Sequence, residues 1–113
     1  MEKTHLHVLW TNADPITAEK MIFMYTVNAL KHGWWEMVTL IVWGAPAKLV
    51  SQDAAIQKMV KKALAAGVHV TACKACCDQL GVTDAVEAQG IEVKYWGQPL
   101  TELLKGGAHL LTI

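Results

Sequence analysis

The sequence contains no arginine: ten lysines supply all of its basic residues, and ten acidic residues balance them to a formal net charge of zero. Recognition of phosphate by paired hydrogen bonds relies on the guanidinium fork of arginine. No run of basic residues compensates for its absence, so neither a nucleic-acid partner nor binding to a membrane surface is expected. No apolar run approaches the ~18 residues of a transmembrane helix either.

The glycine-rich motifs that hold phosphate in nucleotide-binding folds are also missing. Neither G-x-G-x-x-G nor G-x-x-x-x-G-K-[ST] follows the first strand-like run, and no cofactor is expected. Cysteine is scarce, and the three cysteines crowd into five positions, 73–77. Such crowding is not typical of the disulfide framework of a secreted protein. A cytoplasmic protein is therefore expected.

What the sequence does contain is a high share of apolar residues in a short chain. At 113 residues it has the size of one domain, predicted to cover residues 1–113. Hydrophobic residues make up 53% of the chain and charged residues 18%. A small domain buries a smaller fraction of its surface than a large one. Part of the apolar surface is therefore expected to be covered by another subunit of a homo-oligomer.

Five apolar runs bounded by turn signals predict strands. They are His5–Trp10, Met37–Trp43, Val68–Ala72, Ile91–Trp96 and His109–Ile113. Helical periods lie between them, and the helices are predicted to begin near Asp14, Asp53, Cys73, Thr83 and Pro99. Strands that alternate with helices predict a parallel sheet covered on both faces. The predicted fold is a single-domain three-layer α/β/α sandwich with a five-stranded, mainly parallel sheet, flavodoxin-like in style.

Ligands of an open parallel sheet bind beyond the carboxyl ends of its strands. The residues that the sequence places at this edge are Trp10, Asn12, Trp43, Gly44, the three cysteines and Trp96. Three tryptophans on one rim favour an apolar pocket with a few polar groups, the usual form of a small-ligand site. The predicted substrate-binding residues are Asn12, Trp43, Gly44 and Cys77.

Cys73 follows the third strand directly and is predicted to open the next helix. A thiol at the beginning of a helix faces unpaired backbone N–H groups and the positive end of the helix dipole. Both stabilise the thiolate, which is the nucleophilic form, so Cys73 is the predicted catalytic cysteine. Cys76 and Cys77 follow one turn later, close enough to act as resolving thiols or to share a sulfur atom. The competing interpretation is that all three are small buried apolar residues.

The histidines are predicted to lie away from the cysteines. His5, His7 and His69 come early in their strands, at the opposite end of a parallel sheet from Cys73. His69 is four residues before Cys73, about 13 Å away along a strand that rises ~3.3 Å per residue. A Cys–His catalytic pair and a mixed Cys/His zinc site are therefore not expected, and no metal site is predicted.

The segment Cys73–Gly81 joins a strand that ends in cysteine to a glycine eight residues later. The chain resembles the DsrE/DsrF-like sulfur-relay family in this segment, in the turn after the first strand and in the second strand, which ends in Trp43-Gly44-Ala45. The resemblance implies that Cys73 carries sulfur as a persulfide, because it takes the position of the acceptor cysteine. Cys76 matches a second cysteine of some members. The resemblance also implies assembly into trimers or hexamers.

Three functions are compatible with these residues. The first is a sulfur relay, as a sulfurtransferase or a sulfur-carrier subunit, in which Cys73 accepts sulfur from a donor protein and passes it to a partner thiol. The second is a non-catalytic module that binds a small ligand at the tryptophan-lined rim. The third is a redox protein with a reversible Cys73–Cys76 disulfide. Cys73→Ser is expected to abolish the first and third activities and to leave ligand binding largely intact.

Overall fold

Five strands form one sheet in the computed structural model, which describes residues 4–113. They are β1 (His5–Trp10), β2 (Met37–Val42), β3 (His69–Cys73), β4 (Glu92–Lys94) and β5 (His109–Thr112). The order across the sheet is β4-β3-β2-β1-β5, and all neighbours are parallel. The predicted strands are confirmed to within two residues at their ends. Residues 1–3 of the predicted domain lie outside the described residues.

Helices fill the connections, because parallel strands need long crossovers. They are α1 (Pro15–Thr17), a π-helical segment (Ala18–Phe23), α2 (Met24–Lys31), α3 (Ala45–Gln52), α4 (Ala54–Ala65), α5 (Lys74–Leu80), α6 (Thr83–Glu87) and α7 (Gly97–Lys105). Asp14 and Asp53 accept backbone N–H groups at the starts of α1 and α4, where helices were predicted to begin. Among residues 4–113, no helix has the length and apolar character needed to cross a bilayer.

Two helical features differ from the sequence prediction. α3 occupies a stretch with no predicted helix, because Gly44 and Pro46 resemble turn signals and no side chain caps the start of α3. The π-helical segment interrupts the first long helix, and just after it the Thr26 hydroxyl donates to the Ile22 carbonyl oxygen at 2.7 Å. A wider turn of this kind keeps the backbone helical. The spacing of apolar residues therefore does not reveal the π-helical segment.

The helices are divided unequally between the two faces of the sheet. β1 to β4 follow one another in one direction, so right-handed crossovers place their connecting helices on one face. The main core forms there, and its fully buried members include Trp10, Ile22, Leu40, Val50 and Val60. The connection from β4 to β5 runs in the opposite direction, which places α7 on the other face over Ile41 and Trp96. These layers confirm the predicted three-layer sandwich.

On the α7 face, a row of polar side chains extends across neighbouring strands near their amino ends. The rings of His5 and His7 stack with their centroids 4.0 Å apart. Thr39 Oγ1 lies 2.8 Å from His5 Nε2 and 3.3 Å from His69 Nδ1, and His69 Nε2 lies 3.2 Å from Glu92 Oε1. Burial, together with the charges of His5 and His69, lowers the pKa of His7 to about 4. His7 is therefore uncharged in the folded protein at neutral pH.

Candidate functional site

The three cysteines lie where β3 passes into α5. Cys73 is the last residue of β3 and the N-cap of α5, with φ −71° and ψ 118°. It is only 4% exposed, whereas Cys76 is partly exposed and Cys77 is fully buried in the main core. Successive residues of a helix point about 100° apart, so α5 turns Cys76 outward and Cys77 towards the core. All three are free thiols.

The Cys76 thiol lies within hydrogen-bonding reach of the Cys73 thiol. Burial raises the pKa of Cys76, and the hydrogen bond to Cys73 and the charge of a Cys73 thiolate raise it further. The backbone N–H groups of Gly44 and of Cys76 itself act in the opposite direction. A hydrogen bond that raises the pKa of Cys76 is one in which its S–H donates. The arrangement therefore favours the protonated form of Cys76 at neutral pH.

Cys77 has the surroundings of a core residue. Burial raises its pKa to about 11, with smaller contributions from charge on Cys76 and Cys73. Since the thiolate is the reactive form, a thiol with this pKa is unreactive at neutral pH. Cys77 is one of the predicted substrate-binding residues, and it lies in the main core.

The ammonium group of Lys74 pairs with Asp78. Its Nζ lies 2.9 Å from Asp78 Oδ2 and 5.7 Å from the centroid of the Tyr95 ring. The hydrogen bond to Asp78 raises the pKa of Lys74, while hydrogen bonds from Thr83 and Lys74 lower the pKa of Asp78. The charge of Lys74 is therefore matched by a carboxylate one helical turn further on.

A cavity of about 530 Å³ opens beside Cys76. Its wall consists of Ala13, Gly44, Ala45, Lys48, Leu49, Gln52, Cys76, Gln79 and Leu80. α3 contributes positions 45, 48, 49 and 52, and α5 contributes positions 76, 79 and 80, so each helix presents residues spaced along one face. The volume lies within the range of about 300–1,000 Å³ that is usual for small-molecule sites. The space between α3 and α5 is thus large enough for an organic ligand that reaches a thiol.

Gly44 shapes the end of the cavity nearest the thiols. Its φ of 83° and ψ of −129° belong to a region that only glycine adopts freely. The chain turns here from β2 into α3, and the Gly44 N–H acts to lower the pKa of the Cys76 thiol. A Cβ added at Gly44 meets no atom within 4 Å, so the backbone conformation, not space, requires glycine here.

Substituting Gly44 with alanine is expected to lower the free energy of unfolding by about 1–3 kcal/mol, the cost of forcing a Cβ into this conformation. Urea denaturation measures the change. Gly97→Ala is the matched control, because Gly97 also has open space for a Cβ but does not have a positive φ. Equal losses for the two variants would contradict the role given to the Gly44 backbone.

The cavity brings together only some of the predicted site residues. Gly44 and Cys76 lie in its wall, with Cys73 next to Cys76. Asn12 is not in the wall, and its Oδ1 accepts the backbone N–H of Asp14 at 3.1 Å. Within residues 4–113, no group of three or more His, Cys, Asp or Glu side chains is arranged to hold a metal ion.

The three tryptophans expected on one rim point to different faces of the sheet. Trp10 is buried in the main core, with its ring edge-on to Phe23 at a centroid distance of 5.5 Å. Trp96 is buried on the α7 face, and its Nε1 donates to Thr71 Oγ1 at 2.8 Å. Trp43 packs half-buried against the same cluster. Because the two cores take up these rings, the cavity wall formed by the described residues contains no tryptophan and is mainly aliphatic.

Lys48, Gln52 and Gln79 lie in the cavity wall but were not among the predicted site residues. The signal that could have identified the first two is the spacing i, i+3, i+4, i+7 of positions 45, 48, 49 and 52, which puts them on one helical face. Recognising this face requires recognising α3 as a helix.

Solved structures with a similar fold align with nearly the whole chain. The conserved protein of unknown function BT1422 from Bacteroides thetaiotaomicron has a TM-score of 0.95 and 39% sequence identity, covering 97% of this chain and 95% of that chain. The ychN protein from E. coli has a TM-score of 0.72 and 16% identity over 97% of this chain and 99% of that chain, which shows a shared fold. No protein-family profile and no curated protein matches the chain. At 39% identity over almost its full length, the chain belongs to the same family as BT1422.

Proposed function

We propose that the chain is a cytoplasmic sulfur-relay protein that accepts sulfur as a persulfide on Cys73 and passes it to the thiol of a partner protein. The observation that carries this proposal is the pair of neighbouring thiols, Cys73 and Cys76, beside a cavity at the carboxyl end of β3. The fold shared with ychN, a DsrE/DsrF-like family member, supports it. So does the resemblance of the segment Cys73–Gly81 to that family.

The transfer is an exchange of sulfur between thiolates. The Cys73 thiolate attacks the outer sulfur of a donor persulfide, R–S–SH, the bond between the two donor sulfurs breaks, and the donor leaves as RS⁻. The outer sulfur carries its proton to Cys73, which becomes Cys73–S–SH, and the total charge does not change. A partner thiolate then attacks this outer sulfur in the same way, and Cys73 leaves as a thiolate.

Cys76 has two effects on this exchange. Its protonated thiol lies beside Cys73 and can donate to the Cys73 sulfur as negative charge develops there during the departure of the carried sulfur. A Cys76 thiolate would instead attack the inner sulfur of the persulfide, form a Cys73–Cys76 disulfide and release HS⁻. The raised pKa of Cys76 keeps this thiol protonated and so slows the loss of the carried sulfur.

Exposure to polysulfide is expected to add whole sulfur atoms to the wild-type protein, which a reductant removes again. Cys73→Ser is expected to gain none, whereas Cys76→Ser gains sulfur and keeps it longer because the thiol that resolves the persulfide is gone. Cys77→Ala is the matched control and is expected to load like the wild type, since Cys77 is buried in the core. Intact-protein mass spectrometry before and after treatment measures all four proteins.

Two outcomes of this experiment contradict the proposal. If no protein gains sulfur, the cysteines are not a relay site. If Cys73→Ser loads like the wild type while Cys76→Ser does not, the acceptor is Cys76 and the assignment of Cys73 is wrong.

The contact between the two thiols also favours a second function, a reversible Cys73–Cys76 disulfide. Incubation with oxidised glutathione distinguishes it from the relay. A protein that loses two hydrogens, regains them with reductant and never retains sulfur from polysulfide is a dithiol redox protein.

Sulfur donor and acceptor proteins, and assembly into a homo-oligomer, are part of the same proposal. Large apolar side chains lie exposed on the single chain, among them Ile16, Met24, Trp34, Tyr95 and Leu104. Exposed apolar surface is typical of contacts between proteins. These side chains support the association of several copies but do not select a trimer over a hexamer.

A further inference from the structure

The cavity beside the thiol pair contains one charge that the sulfur exchange does not use. Among the described residues, Lys48 is the only charged one in the wall, and it is exposed. It forms no ion pair with any residue in the range 4–113, whereas Lys74 near the same thiols is paired with Asp78. The Lys48 ammonium group is therefore available to a ligand.

The rest of the wall determines what kind of ligand fits. Ala13, Ala45, Leu49 and Leu80 make most of it apolar, and Gln52 and Gln79 add two amides. Lys48 comes from α3 and Cys76 from α5, two helices that pack against each other. A molecule lying between them meets a cation on one helix and a thiol on the other. A cavity of about 530 Å³ is far larger than a sulfide ion needs.

We infer that the cavity binds a small organic persulfide with an apolar body and an anionic group such as a carboxylate. The anionic group pairs with Lys48, the apolar body packs between α3 and α5, and the sulfur meets the Cys73–Cys76 pair. This inference rests on the proposed relay and names the chemical class of its small-molecule donor. A concave pocket of this size fits a small-molecule donor that loads Cys73 as an alternative to a donor protein.

Two aromatic disulfides of similar size test the charge preference: dianionic 5,5′-dithiobis(2-nitrobenzoate) and neutral 4,4′-dithiodipyridine. In each reaction a protein thiolate attacks one sulfur, the S–S bond breaks, and an aromatic thiolate leaves. Its absorbance gives the rate constant, and the fast phase must be absent from the Cys73→Ser/Cys76→Ser double variant. The readout is the ratio of the anionic to the neutral rate constant, in which any change in the thiolate fraction cancels.

Lys48→Gln is expected to lower this ratio about three- to fivefold, the effect of losing one partly exposed ion pair. Lys48→Arg keeps the charge and is expected to keep the ratio near its wild-type value. Lys31→Gln is the control for net charge, because Lys31 lies in the last turn of α2, which leads to the amino end of β2, and is not in the cavity wall.

An unchanged ratio in Lys48→Gln would overturn the inference. An equal fall in Lys31→Gln would also overturn it, because the preference would then reflect the overall charge of the protein. Failure of the relay gives a different result: the ratio depends on Lys48 as described, but polysulfide adds no sulfur to the wild type.

Discussion

Replacing Trp10 with alanine is expected to lower the free energy of unfolding by about 3–5 kcal/mol, enough to unfold much of a marginally stable small domain. Trp10 lies at the end of β1 with none of its surface exposed, and its ring packs edge-on against Phe23 of the π-helical segment. Alanine removes the whole indole and leaves a cavity between the sheet and the first long helix. Urea denaturation followed by circular dichroism measures the loss.

Two variants test whether the loss of stability comes from the buried packing of Trp10 or would follow the removal of any tryptophan. Trp34 is 59% exposed, so Trp34→Ala is expected to cost less than about 1 kcal/mol. Trp10→Phe keeps an aromatic ring and removes an indole N–H that is buried without a hydrogen-bond partner in the described residues. It is therefore expected to cost much less than Trp10→Ala. Similar losses at positions 10 and 34 would show that burial does not explain the effect.

Acidification is expected to destabilise the protein through His7 by up to about 3 kcal/mol. Burial and the neighbouring charges lower its pKa from 6.5 to about 4 in the folded state. Between these values the unfolded chain binds a proton that the folded protein does not, so stability falls as the pH falls from 6.5 towards 4. Above pH 7 both states are neutral at this residue, and His7 contributes no pH dependence. Urea midpoints measured across this range give the slope.

His7→Gln removes the titrating group and is expected to reduce this acid sensitivity. The groups that face His7 on the same side of the sheet are His5, His69 and, beyond His69, Glu92, and they stay in place in this variant. His32→Gln is the control, because His32 is exposed and stacks on Trp34 at the end of α2. If both variants lose stability with acid as the wild type does, His7 is not responsible.

Most of the fold could be predicted because its signals are local. Apart from their exposed first residues, β2 and β3 are buried on both sides, which makes them mostly apolar. Asp14 and Asp53 identified two helix starts through their capping oxygens. α3 was missed because its start depends on the backbone of Gly44, which offers no side-chain cap for a sequence pattern to show.

The thiols of the candidate site could be predicted, but the cavity could not. Cys73 and Cys76 were expected together at the end of β3 because the strand-to-helix junction is a local feature. The cavity depends on which faces α3 and α5 turn towards each other, and that is set by packing. The tryptophan-lined pocket was predicted only from the positions of the tryptophans at the ends of their strands. Trp10 and Trp96 instead pack into the two cores, on opposite faces of the sheet.

The order of the strands also indicates which strand of the sheet opens at the lowest free energy. β1 and β2 have hydrogen-bonded neighbours on both sides, whereas β4 is a three-residue strand at the edge whose only strand partner is β3. Its pairing includes Cys73 opposite Lys94. Edge elements with few backbone bonds open at the lowest free energy. The neighbour of the cysteine strand is therefore expected to detach at a lower free energy than the centre of the sheet, which would expose Cys73 without global unfolding.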